Sequence, residues 1–239
     1  MLKTDLILRN PLRLISSQSE DGLSDGVFGA VLARAGVGKT AFLVQVSLNF
    51  LLRGKNVLHI SLNDPIQKVN LWYQEVFGHL ARQYNVKQVQ ELWESLLPHR
   101  FIMTFKVEGF SVPRLEERVT DLTEQKIFIP QMVIIDGLPF NASVRESLLL
   151  LKSLAYKRSL SVWFTVRTHR HEAPGPDGLP AQLENIADLF ELAIQLKPKG
   201  EEIYVIALKG EKLPVADHAL LLDPATMLIK KQDTVSVTD

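Results

Sequence analysis

The chain contains no cysteine. Disulfides, thiolate-held zinc, iron–sulfur clusters and cysteine nucleophiles are therefore excluded. It has no charge surplus either: 27 Lys and Arg balance 27 Asp and Glu. A dedicated nucleic-acid binder usually carries a basic excess, because phosphate contacts dominate that affinity. Balance argues against nucleic acid as the main partner, while leaving room for a local basic patch. No apolar run reaches the roughly 20 residues needed to span a bilayer. The stretch Leu148 to Leu151 is closed by Lys152. Met1-Leu2-Lys3-Thr4-Asp5 lacks the apolar core of a secretion signal. A cytoplasmic protein without membrane association is the expectation.

What is present is ordinary globular material. The 239 residues are 46% hydrophobic and 23% charged, enough to bury one large core. Residues 1–26 are expected to form a segment packing on, or leading into, a domain spanning 27–239. From Phe28 onward, apolar runs alternate with amphipathic stretches. Strands are expected at 28–34, 56–62, 101–105, 132–135 and 160–166. Helices are expected at 40–53, 65–84, 88–97, 112–125 and 144–158. A Pro- and Gly-rich loop (172–180) precedes a short helix at 183–190. Strand-like segments then follow at 192–196, 203–208, 220–222 and 227–229. This order predicts a three-layer α/β fold, its sheet mostly parallel with antiparallel strands at the C-terminal edge.

The first chemical signal is Ala33-Arg34-Ala35-Gly36-Val37-Gly38-Lys39-Thr40. It matches the phosphate-loop pattern G-x-x-x-x-G-K-[ST] at its last three positions, with Ala33 in place of the first glycine. Glycines let backbone amides converge on phosphate oxygens. The helix that follows offers its N-terminus to the same anion. Residues Ala35, Gly36, Val37, Gly38, Lys39, Thr40 and Ala41 are thus the candidate nucleotide-binding set. Lys39 would supply charge to the terminal phosphates and the Thr40 hydroxyl a ligand to Mg²⁺. The strand–loop–helix frame argues against a chance match.

The second signal is Met132-Val133-Ile134-Ile135-Asp136-Gly137, an apolar strand ending in a carboxylate. Ligands of open α/β sheets collect at the carboxyl ends of strands. Asp136 is therefore the candidate magnesium residue alongside Thr40. Taken alone, it would equally suit a loop cap.

Four blocks, ARAGVGKTAFLVQVSLNFLLRGKNVLHISL, QMVIIDG, SVWFTVRTHR and LFELAIQLKPKGEEIYVIALKG, together resemble the RecA/KaiC-like branch of phosphate-loop ATPases. The resemblance implies ATP and Mg²⁺ as ligands, and rings or filaments as assemblies. Such proteins usually carry a glutamate after the second strand to activate water. The corresponding stretch here is Ser61-Leu62-Asn63-Asp64-Pro65, which puts Asn63 at that position. An amide cannot act as a base. Asp64 is the remaining catalytic candidate, and a helix cap before Pro65 is its equal alternative. After the fifth strand, Thr165, Arg167, Thr168 and His169 fall where the γ-phosphate is sensed, with Arg167 the best candidate for a phosphate contact. A late Lys-x-Arg that reaches a neighbouring subunit is matched only by Lys209-Gly210-Glu211-Lys212. The functional expectation is an Mg-ATP-binding protein with slow hydrolysis and a regulatory or assembly role. A nucleotide-switched binding module without hydrolysis and a DNA-recombination or repair ATPase are the alternatives.

The other aromatic residues read as packing. Trp72 and Phe77 suit a core or interface, Trp93 and Trp163 a core, and His59 a satisfied interior position. No further His/Asp/Glu cluster has metal-ligand spacing.

Overall fold

The computed structural model describes residues 6–7, 26–141, 143–169, 175, 178–210 and 219–231. Among these the strands join into one nine-stranded sheet in the order β3-β2-β4-β5-β1-β6-β7-β8-β9. The strands are β1 (Phe28–Ala33), β2 (Val57–Ser61), β3 (Arg100–Thr104), β4 (Met132–Asp136), β5 (Ser161–Arg167), β6 (Leu192–Lys199), β7 (Glu202–Lys209), β8 (Leu220–Leu222) and β9 (Ile229–Lys231). The first six run parallel. The last three turn back antiparallel, so the C-terminal edge is built as expected.

Among the described residues, the helices covering the sheet include α1 (Lys39–Leu52), α2 (Ile66–Gln83), α3 (Val89–Leu96), α4 (Val112–Glu124) and α5 (Val144–Lys157). Two apolar layers result. One gathers α1, α2, α3 and the C-terminal strands, and Leu6 is buried in it. The other gathers α4 and α5 on the opposite face. Because both faces are covered, β1 and β2 are buried at every position, as continuous apolar runs require. The remainder of the expected 1–26 segment, apart from Leu6, Ile7 and Gly26, lies outside the described residues. Among the described residues no helix is long and apolar enough to cross a membrane.

Two elements differ from expectation. The segment 183–190 is not one helix but two 3₁₀ turns, Ala181–Leu183 and Ala187–Leu189. Leu183, Ile186 and Leu189 are all buried. Their spacing of three matches a helix of three residues per turn better than one of 3.6. The last strand begins at Ile229 rather than at 227, because Met227 has φ +56°, outside the extended region.

The packing aromatics fall into place. Trp163 is buried and pairs in register with Gly29 of β1. Any Cβ at Gly29 would run into the indole, so this glycine makes room for the tryptophan. Phe77 packs on Trp93 at 5.0 Å between ring centroids. Trp72 lies half-buried against the first layer. His59 is fully buried in the middle of β2, but the expected satisfaction is only half met: Nδ1 meets the Tyr73 hydroxyl at 3.1 Å, whereas Nε2 has no hydrogen-bond partner among the described residues.

Candidate nucleotide site

The carboxyl ends of β1, β2, β4 and β5 meet above a cleft of about 650 Å³. Ala35, Gly36, Lys39, Thr40, Asn63, Asp64, Asp136 and Arg167 all line it. Topology explains the convergence: a parallel strand order carries every strand-to-helix loop to the same edge.

The loop from β1 to α1 takes positive φ at Gly36 (+79°) and Gly38 (+107°), the latter capping α1. Only glycine adopts such angles cheaply. Ala33, where the loop pattern expects glycine, is instead the last residue of β1, in register with Arg167. Its backbone is extended, so alanine there costs nothing. The first helical bond of α1 runs from the Phe42 N–H to the Gly38 carbonyl at 2.9 Å. The N–H groups of Lys39, Thr40 and Ala41 precede it and have no acceptor within the helix. Val37 and Ala41 turn their side chains to the core, and neither they nor Gly38 line the cleft.

Lys39 Nζ donates to the carbonyls of Ala33 (3.1 Å) and Arg34 (3.0 Å), inside the curve of its own loop. Burial pushes its pKa below the ordinary lysine value. Nearby Asp136 opposes that shift and Arg167 adds to it. The Thr40 hydroxyl donates to Asp136 Oδ2 at 2.8 Å. The Thr165 hydroxyl donates to Asp136 Oδ1 at 2.6 Å and accepts from the Gly137 N–H at 3.0 Å. One carboxylate thus ties α1, β4 and β5 together. Among the described residues no group of three His, Asp or Glu forms a cage for a metal. The oxygen pair of Thr40 and Asp136 is the hard-donor set here. Such a set suits a cation that brings its own phosphate and water ligands.

Asp64 and Asn63 behave differently. The Asp64 N–H donates to Ser61 Oγ at 3.0 Å, and its carboxylate receives Lys68 Nζ at 2.9 Å, one turn into α2. It anchors the start of α2, where Pro65 is the cap residue. Asn63 lies against Gly137, whose φ is +93°; any Cβ on Gly137 would overlap the Asn63 amide. Arg167 is exposed on the cleft's rim with His169. Lys209 points inward and donates to the Ala187 carbonyl. Glu211 and Lys212 lie outside the described residues.

Two contributors carry little sequence signal. Thr165 is one polar residue among several around the end of β5, yet it is the one bonded to Asp136. Gln45, within α1, is 6% exposed and bonds to residues more than 180 positions away. No local pattern announces either contact.

No model of a known protein family matches the chain. It is 22% identical over 228 residues to a DnaB-like replicative helicase of Enterobacteria phage T4, a match covering 88% of this chain and 48% of that protein. The chain therefore spans about half the length of this relative. Among solved structures it resembles an ATPase domain with a TM-score of 0.63 and 19% identity, covering 89% of this chain and 87% of that one. The fold is that of a RecA-like P-loop NTPase. Within this RecA-like frame the glycine loop, Asp136 and Thr165 occupy one end of the parallel strands, with the antiparallel extension beyond β6.

Proposed function

We propose that this RecA-like protein binds Mg-ATP and hydrolyses it slowly, acting as a nucleotide-dependent regulatory or assembly component. The observation that carries the reading is the 2.8 Å bond between Thr40 and Asp136 beside the Lys39 loop. In this reading the loop amides and Lys39 hold the phosphates, and Thr40 and Asp136 hold the cation. Arg167, at the rim, meets the γ-phosphate. Slow turnover follows from Asn63, an amide with no basic lone pair for a water proton. Asp64 is a poor substitute, since Lys68 already engages its carboxylate. The finer KaiC-like placement rests on the four sequence blocks alone.

Calorimetric titration with ATP, with and without Mg²⁺, tests the assignment in wild type and Asp136→Asn. Wild type binds more tightly with Mg²⁺, and the variant loses that dependence. An equal Mg²⁺ dependence in both would remove Asp136 from the metal site.

The relative's identity as a replicative helicase favours a second reading, an ATP-driven motor on nucleic acid. The balanced charge counts against it. Turnover stimulated by single-stranded DNA, with salt-sensitive binding, would favour the motor. Self-assembly into a ring or filament is part of either reading, and light scattering with and without ATP tests it.

A further inference from the structure

The hairpin of β8 and β9 touches the phosphate loop. A Cβ on Gly38 would stand 2.7 Å from Leu222 Cδ2 and 3.3 Å from Met227 Sδ. Gly38 is thus held from the side by two residues of the C-terminal hairpin. Seven positions on, two turns along the same helix face, Gln45 fastens the same hairpin. Its Nε2 donates to the Met227 carbonyl at 2.6 Å, and its Oε1 accepts the Ile229 N–H at 2.9 Å. Both polar ends of one buried amide are therefore spent on this hairpin.

Met227 carries a second mark. Four non-glycine residues among those described have positive φ. Asn85, Lys126 and Ser159 each lie two residues beyond a helix end, the usual place for a left-handed residue. Met227, at +56°, ends no helix. It sits in the turn closed by its own N–H to the Asp223 carbonyl at 2.7 Å and by the Asp223 N–H to the Leu228 carbonyl at 2.9 Å. A left-handed residue suits the end of a short hairpin loop, and the bonds to Asp223 and Leu228 set it here. Gln45 then fastens the Met227 carbonyl, leaving the thioether on the side of Gly38.

We infer that the β8–β9 hairpin is a clamp on the phosphate loop, with Met227 and Gln45 as positioning residues that hold Gly38 in its left-handed conformation. The clamp acts on the polyphosphate-binding backbone rather than on the nucleoside. The effect on ligand affinity rests on the proposed nucleotide function; the effect on loop geometry does not.

The test uses the full chain with Met227→Gly, which accepts the same φ but removes the thioether, and Gln45→Leu, which keeps bulk but removes both bonds. Hydrogen exchange of amides 42–45, the first bonded amides of α1, starting with Phe42 on the Gly38 carbonyl, should quicken in nucleotide-free protein by about ten-fold in each, while amides of β4 and β5 keep their protection. Affinities for Mg-ATP and for inorganic tripolyphosphate should fall together, by about ten-fold. Unchanged exchange at 42–45 would overturn the clamp, as would loss of affinity for ATP alone, which would put the hairpin on the nucleoside. Wild type that binds neither ligand would overturn the nucleotide function, and the exchange measurement would still decide the clamp. Quickening across the whole sheet would mark both variants as merely destabilised and would also overturn the positioning role.

Discussion

The side chain of Asn63 lies against Gly137 across the mouth of the cleft, occupying the space a Cβ would need. The ends of β2 and β4, already joined by the Leu62 N–H to the Asp136 carbonyl, meet here, at the position where the proposed function would call for a base. Gly137 also has φ +93°, so a side chain there meets both strain and collision. Gly137→Ala is expected to lower stability by about 1–3 kcal/mol and to weaken ATP binding by displacing Asn63. Urea denaturation and calorimetry read the two effects.

Asn63 also sets the expected rate. A carboxylate at this position accepts a proton from water and an amide does not. Asn63→Glu should raise phosphate release by about ten-fold or more. Asp64→Ala should leave the wild-type rate unchanged, because Asp64 is engaged with Lys68 at 2.9 Å. A rate abolished by Asp64→Ala would return the base to Asp64.

The fold is legible where it is written locally. Alternating apolar runs mark the parallel core, and the strand-rich tail marks its antiparallel edge. The phosphate loop and the β4 carboxylate are legible for the same reason, since each is a short pattern in a strand-to-turn frame. What escapes is long-range or depends on dihedrals. Leu183, Ile186 and Leu189 look helical until their spacing of three is weighed. Met227 looks like strand until its φ is known. Thr165 joins Asp136 across 29 positions and Gln45 joins Ile229 across 184, and no window of sequence contains either pair.

His59 makes stability depend on pH. It is fully buried between strands and α2, with Nδ1 3.1 Å from the Tyr73 hydroxyl, which donates to Ser47 Oγ at 2.7 Å. Burial pushes its pKa down to about 4 from 6.5, against the pull of Asp136. The folded protein therefore keeps this imidazole neutral where the unfolded chain protonates it. Stability is full above about pH 6.5 and falls as pH drops toward 4, by up to roughly 3 kcal/mol. Denaturation of wild type and His59→Gln at pH 7 and pH 4.5 checks this, and the variant should show the shallower loss.

Thr40 and Thr165 both hold Asp136, but only Thr40 belongs to the loop. Thr40→Val should abolish the Mg²⁺ dependence of ATP binding, whereas Thr165→Val should reduce affinity by less than about ten-fold, the scale of one hydrogen bond. Calorimetry at fixed ATP and varied Mg²⁺ compares them.

Binding of Mg-ATP to wild type and to Lys39→Ala, measured by calorimetry at equal protein concentration, bears most directly on the central claim. Wild type should bind about one ATP per chain, and Lys39→Ala should lose at least about ten-fold in affinity. No binding by wild type, or equal binding by both, would contradict the assignment of Gly36 to Thr40 as a triphosphate site.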